Sequence, residues 1–285
     1  MARPGKRGTI RSELIDARSE LEKAEIWSAW LDAEVLLAHV LRTERAWLHA
    51  HPERPLTSPQ RKRFHQLVGR RRSHVPVAYL TGEKEFYGHM LRVSPAVLIP
   101  RPETELLVDL GIEWLRGHPH ARRVIDLGSG SGAIAIALAR ALPSVRVTAI
   151  EVDARALKIA ATNVARHRVA SRVELRRGDL LQGAPAADLI AANLPYLTTV
   201  RRRAHSELAY EPVRALDGGD DGLDVIRRAI AQGPAVLRRP GCALIECDPG
   251  QPARIARMAK AAWPSPDVTV HTDLAGRDRV VRIQL

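Results

Sequence analysis

The sequence predicts an α/β fold: an open, largely parallel sheet of seven strands preceded by a small helical domain. Three observations carry this. From Arg123 onward, short apolar runs alternate with helical stretches, the pattern of a parallel sheet with covering helices. A glycine-rich turn, Gly128-Ser129-Gly130-Ser131-Gly132, stands between the strand-like Arg123-Val124-Ile125 and the helical run Ala133–Leu138. Upstream, from about Thr9 to Arg72, apolar residues fall at helical spacing without strand alternation.

In chain order, residues 1–82 read as a helical domain. Trp30, Leu31, Val35, Leu36, Leu37, Val40 and Leu41 fall largely on one face at 3.6-residue spacing, and Ser58-Pro59 starts a helix ahead of Phe64, Leu67 and Val68. Residues 83–100 look extended with a glycine turn at Gly88, which suggests a β-hairpin linking two domains. Pro95, Pro100 and Pro102 punctuate the approach to a helix beginning near Glu103. In the remaining domain, 101–285, strands are expected near 123–126, 146–151, 172–176, 187–193, 242–246, 267–271 and 279–284. Between the last two lies Asp273–Asp278, too short for a crossover helix, so that pair should be antiparallel.

With 285 residues and 45% hydrophobic content, the chain can bury one large core and a small companion. No apolar run approaches the ~18 residues of a membrane-spanning helix, and the charged N-terminus Met1–Arg7 lacks a following signal-peptide core. A cytoplasmic protein is expected. Cys242 and Cys247, five apart in a strand pattern, fit neither a disulfide framework nor a zinc ligand set and read as reduced structural residues. The formal charge of +12 invites a nucleic-acid partner. Its arginines are spread out, however, with runs at Arg70–Arg72 and Arg201–Arg203 and little aromatic interleaving, which favours a solvated basic face.

Ligands on such sheets bind beyond the carboxyl ends of the strands, where strand order reverses. The glycine turn brings backbone N–H groups and a helix start close to a ligand. With Ala133 it also satisfies the dinucleotide pattern, and Glu151, ending the second strand, would accept ribose hydroxyls in either reading. After the third strand, Asp179 offers an acceptor for an adenine amino group, with the Leu180 N–H as a donor. After the fourth stands Asn193-Leu194-Pro195-Tyr196. An amide nitrogen is a poor nucleophile, so its lone pair must be aimed. The Asn193 side-chain oxygen and the Leu194 carbonyl would grip the two N–H bonds of a planar NH2 group, Tyr196 would pack beside it and Pro195 would stiffen the loop.

A three-glycine turn, an acid ending the second strand, an Asp after the third and Asn-x-Pro-Tyr after the fourth resemble the class I methyltransferases that bind S-adenosylmethionine. Longer stretches resemble the release factor glutamine methyltransferases: Asp32–Leu41, Tyr79–Gly88, Leu98–Glu105, Glu211-Pro212 with Ala215–Gly222, and Asp273–Arg279. The resemblance implies a seven-stranded methyltransferase domain that methylates the glutamine of a Gly-Gly-Gln loop in peptide chain release factors. The helical domain and hairpin would help dock that factor. It further implies cofactor contacts at Gly128 to Gly132, Glu151, Asp179, Leu180 and Asn193, and an acceptor site at Asn193 to Tyr196. No metal, nucleic acid or membrane is required, ribosome proximity is compatible, and a monomer is expected.

Three positions depart from the pattern. Leu194 replaces a common proline, which is also similar to ribosomal RNA adenine dimethylases. Glu151 stands where aspartate is usual, and Glu246-Cys247-Asp248-Pro249-Gly250-Gln251 stands where Glu-Ile-Gly is common. An adenine N6-methyltransferase, a non-catalytic cofactor-binding protein of the translation apparatus and a nicotinamide-dependent oxidoreductase are the rival readings. Arg101 and Glu103 read either as a salt bridge at the helix start or as residues shaping the acceptor pocket. Asp217–Gly222 reads as a turn capping a helix from Leu223.

Overall fold

The computed structural model describes residues 8–204 and 207–285. The run Met1–Arg7, read above as lacking a signal-peptide core, lies outside them. The described chain divides into two compact units at Gly82 and Glu83.

The first unit holds helices α1 (Ile10–Glu22), α2 (Ala29–Leu41), α3 (Arg45–Ala50), α4 (Ser58–Arg72) and α5 (Val77–Thr81). Thr9 and Thr57 open α1 and α4 as capping boxes, each side chain accepting from the backbone N–H three residues on. On α2 the buried face differs from the expected one. Ala29, Ala33, Leu36 and Leu37 are buried, whereas Trp30 and Leu31 are exposed. Asp32 takes an interior position instead because Arg71, also buried, donates to it at 2.7 Å, and a paired charge can occupy a place that periodicity assigns to an apolar residue.

The second unit opens with the hairpin β1 (Glu83–Phe86) and β2 (His89–Arg92), followed by α6 (Glu105–Gly117) after a 3-10 turn at Pro102–Thr104. The alternating part then runs β3 (Arg123–Leu127), α7 (Ala133–Ala141), β4 (Arg146–Glu151), α8 (Ala154–Arg166), β5 (Val173–Arg177), β6 (Ala187–Ala192), the short α9 (Thr199–Ala204) and α10 (Val213–Leu216), α11 (Asp224–Gln232), β7 (Leu237–Glu246), α12 (Pro252–Ala262), β8 (Asp267–Thr272) and β9 (Asp278–Gln284). The hairpin is fastened within this unit. Buried Asn163 on α8 accepts from the Arg92 N–H (2.7 Å) and donates to the Arg92 and Ser131 carbonyls (both 2.9 Å), which ties the hairpin to the glycine turn.

The seven strands order as β5-β4-β3-β6-β7-β9-β8. All neighbours are parallel except β7 with β9 and β8 with β9, as the short last connection requires. Every residue of β6 is buried, as expected of a central strand covered on both faces. Alternate residues feed two cores. Val124, Val147, Leu189 and Leu244 pack with α6, α7 and α8, while Ile125, Ile190, Ala243 and Ile283 pack with α11 and α12. Strand order reverses between β3 and β6, which points the ends of β3, β4 and β6 at one crevice. Among the described residues no helix is long and apolar enough to cross a membrane.

Candidate functional site

A cavity of about 430 Å3 opens at that crevice, a volume in the range of small-molecule sites. Gly128 and Gly130 border it after β3, Glu151 at the end of β4, Asp179 and Leu180 after β5, and Asn193, Leu194 and Pro195 after β6. Of the residues expected to hold a cofactor, Ser129, Ser131 and Gly132 do not line it. Ser129 and Ser131 are buried, and Gly132 starts α7 with its N–H bonded to the Ser129 carbonyl (2.7 Å).

The Glu151 carboxylate folds back onto the turn. Oε2 accepts from the Gly130 N–H at 3.0 Å and Oε1 from the Asp153 N–H at 2.9 Å. Each oxygen keeps a second lone pair, so the longer side chain can still accept from a ligand while bracing the glycine turn. Asp179 is exposed and ion-paired. Arg228, another cavity residue, donates to its Oδ2 at 2.5 Å. Leu180 sits beside it at φ +53, a left-handed backbone that is costly for leucine and concentrates at functional sites.

Behind the turn, Asp126 is wholly buried. Its Oδ2 accepts from the Ala135 N–H at 2.9 Å and its Oδ1 meets no donor. Burial pushes its pKa up to about 7, opposed by the Ala135 bond and reinforced by the Glu151 charge. The folded state thus keeps this proton where the unfolded chain has lost it. The stability it carries is full below about pH 4 and drains away as pH rises through about 7. Asp126→Asn is therefore expected to gain on the native protein by an amount that grows from pH 5 to pH 8, on the order of a few kcal/mol at the top. A melting-temperature difference independent of pH would show that Asp126 does not titrate in that window.

The tetrapeptide Asn193–Tyr196 is held by contacts to several segments. Asn193 donates its Nδ2 to Thr104 Oγ1 at 2.8 Å, which assigns the amide orientation. Among the described residues no donor reaches the Asn193 Oδ1 or the Leu194 carbonyl. Leu194 is buried with its side chain against the glycine turn, so that a Cβ at Gly128 would stand 3.0 Å from Leu194 Cδ2. Tyr196 is not a cavity-lining residue. Its hydroxyl donates to Glu246 Oε1 at 3.2 Å, and its pKa is pushed well above the ordinary tyrosine value by burial and by the Glu246 charge. Its carbonyl accepts from Gln251 Nε2 at 2.9 Å.

The turn 217–222 packs on the same loop. A Cβ at Gly218 would lie 2.7 Å from the Pro195 carbonyl oxygen, and one at Gly222 would overlap the Tyr196 carbonyl. The Gly218 carbonyl accepts from the N–H of Asp224, the first residue of α11, at 2.9 Å, so the turn caps that helix through its main chain, while Asp221 accepts from the Leu223 N–H just before it. Two of the turn's three carboxylates are paired with arginines: Asp217 with Arg202, and Asp221 with Arg227 and Arg254.

Of the two readings of Arg101 and Glu103, the salt bridge between them is not formed, and each makes a longer-range pair instead. Arg101 pairs with buried Glu211, whose other oxygen accepts from the Ile99 N–H at 2.9 Å, and Glu103 pairs with Arg277 at 3.4 Å. Opposite charges within reach on different segments outcompete a neighbour two residues away, which cannot face the same side of a helix start. Stretches scattered through the sequence thus meet around one loop. Thr104, Glu246 and Gln251, which hold Asn193 and Tyr196, were not singled out as site residues. The usable signal was position, since Glu246 ends a central strand.

Residues 14–82 match the family described as PrmC N-terminal domain, and residues 104–239 the methyltransferase small domain. A release factor glutamine methyltransferase of Bordetella pertussis is 40% identical over 256 residues, covering 88% of this chain and 93% of that one. That of Nitratidesulfovibrio vulgaris is 37% identical over 281 residues, covering 96% and 94%. The chain belongs to the release factor glutamine methyltransferase family. Its fold also resembles solved structures of more distant sequence. The hMettl16 catalytic domain superposes with a TM-score of 0.58 over 83% of this chain and 84% of that one, at 16% identity. In the tetrapeptide Asn193–Tyr196 the second place is held by Leu194. Leucine leaves the carbonyl available and adds a side chain that locks the loop to the glycine turn.

Proposed function

We infer that the chain transfers a methyl group from S-adenosylmethionine to the side-chain amide nitrogen (N5) of the glutamine in the Gly-Gly-Gln motif of peptide chain release factors. The observation that carries this is the pinned Asn193. Its Nδ2 is spent on Thr104, which leaves Oδ1 and the neighbouring Leu194 carbonyl as two acceptors on one edge of the cavity.

The residues present suit the cofactor. Gly128 and Gly130 carry no side chain where a ligand must approach the backbone, Glu151 presents spare lone pairs for ribose hydroxyls, and Asp179 with Leu180 offers an acceptor and a donor for adenine. When bound, S-adenosylmethionine supplies a sulfonium methyl group open to displacement by a nitrogen lone pair. Asn193 Oδ1 and the Leu194 carbonyl each accept one N–H of the incoming carboxamide, turn its plane and aim the lone pair into the cavity. The same two oxygens favour the positive charge that grows on nitrogen. The product nitrogen is acidic enough to lose a proton to water or to either acceptor, so a dedicated base is unnecessary. Pro195 stiffens the loop between these acceptors and Tyr196.

The test is transfer of labelled methyl from the cofactor to a purified release factor, repeated with its glutamine changed to alanine. Label is expected on the native factor alone. Label surviving on the alanine factor, or going to ribosomal RNA in preference, would overturn the assignment. The proposed partner is a protein used in translation, which supports a cytoplasmic setting for the chain.

A further inference from the structure

Glu246 ends β7 directly beneath the acceptor loop and is entirely shielded from solvent. Oε1 receives the Tyr196 hydroxyl, while Oε2 meets no hydrogen-bond donor among the described residues. Burial pushes its pKa up to about 7, against the pull of the Thr104 hydroxyl, Arg279 and the Tyr196 hydroxyl and with a push from Glu103. These are the charged and polar groups that face it, from β9, from the 3-10 turn before α6 and from the loop after β6. Arg279 is itself occupied by Asp273 and the Cys247 carbonyl. A buried carboxylate with one unmet oxygen is a poor device for stability, and well-packed apolar replacements of such groups often stabilise a fold. Its cost falls on a single place, the floor of the loop that holds the two acceptors.

We propose that Glu246 is a positioning residue for methyl transfer, fixing the Tyr196 ring by its hydroxyl and so holding in place the loop that carries Asn193. The proposal rests on the function inferred above. Gln251 secures the same loop through the Tyr196 carbonyl, so the fold of the loop survives without Glu246 while the aim of its side chains does not. The role also accounts for a run that fitted no motif, since Glu246 and Gln251 bracket Tyr196 from one short segment.

The test compares native protein, Glu246→Gln, Tyr196→Phe and the double variant for turnover, KM for the release factor and cofactor affinity between pH 6 and 9. Glu246→Gln is expected to lower kcat about 10- to 100-fold, with KM and cofactor affinity changed less than about threefold. Tyr196→Phe should cost a similar factor, and the double variant no more than the worse single one, because both break the same contact. Native kcat should rise with pH through the ionisation of Glu246, and this limb should vanish in Glu246→Gln. Native kcat and pH profile in the glutamine variant, or losses that multiply in the double variant, would overturn the proposal while label transfer by the native protein leaves the function standing. Absence of label transfer by the native protein would overturn both. Should Glu246→Gln fail to fold, Tyr196→Phe decides alone, and an unchanged kcat there refutes the role.

Discussion

Asn193→Ala is expected to lower turnover by about two to three orders of magnitude, the usual cost of deleting a preorganised polar contact to a developing charge. The side chain has one oxygen to offer, because its nitrogen is held by Thr104 at 2.8 Å. Removing it leaves the Leu194 carbonyl to hold one N–H, and the carboxamide can then rotate about that bond. Cofactor affinity should change little, since Glu151, Asp179 and the glycine turn remain. Single-turnover rates with saturating cofactor, together with calorimetry, separate the two quantities. Unchanged turnover would remove Asn193 from the mechanism, and lost affinity with intact turnover would make it a cofactor residue instead.

Gly222→Ala should be nearly as damaging although residue 222 does not line the cavity. Its φ of +72 is strained for alanine, and the new Cβ would overlap the Tyr196 carbonyl and lie 2.6 Å from Gln251 Nε2. Both partners belong to the hydrogen bond that anchors the loop, so the chain must either move the acceptors or break the anchor. We expect stability lowered by about 1–3 kcal/mol and kcat lowered about 100-fold by displacement of the acceptors. Urea unfolding and methyl transfer measure the two effects. Gly117→Ala, with open space around residue 117, serves as the reference that should change neither. Native turnover in Gly222→Ala would mean that the loop tolerates a shift and that its packing is not tied to catalysis.

The strands after Arg123 were readable because each pairs an apolar run with a turn signal, and local periodicity suffices when a strand is buried on both faces. The start of β7 was not. The strand expected near 242–246 begins earlier, at Leu237, and passes through Pro240 and Gly241. A register shift absorbs the extra residues, with Ala187 opposite Leu237 and Leu189 opposite Cys242. Tertiary pairing there overrides the local preference of proline and glycine. On α2, Asp32 was hidden for a similar reason, because its buried partner Arg71 lies on another helix.

Within the site, residues at strand ends were legible. Gly128, Gly130, Glu151, Asp179, Leu180, Asn193, Leu194 and Pro195 border one cavity. Their supports were not, because contacts such as Thr104 to Asn193, Glu246 to Tyr196 and Arg101 to Glu211 span 50 to 110 positions of sequence. Neighbours in sequence, such as Arg101 and Glu103, suggested a pairing that geometry does not make.

The strand Asp278–Gln284 is threaded between β7 and β8 rather than laid along a border of the sheet. Until it inserts, the sheet stands open on its β7 flank, β8 has no neighbour to pair with, and Arg279 cannot reach its place near Glu246. Closure of the sheet and completion of the support beneath the Tyr196 loop are therefore a single folding event.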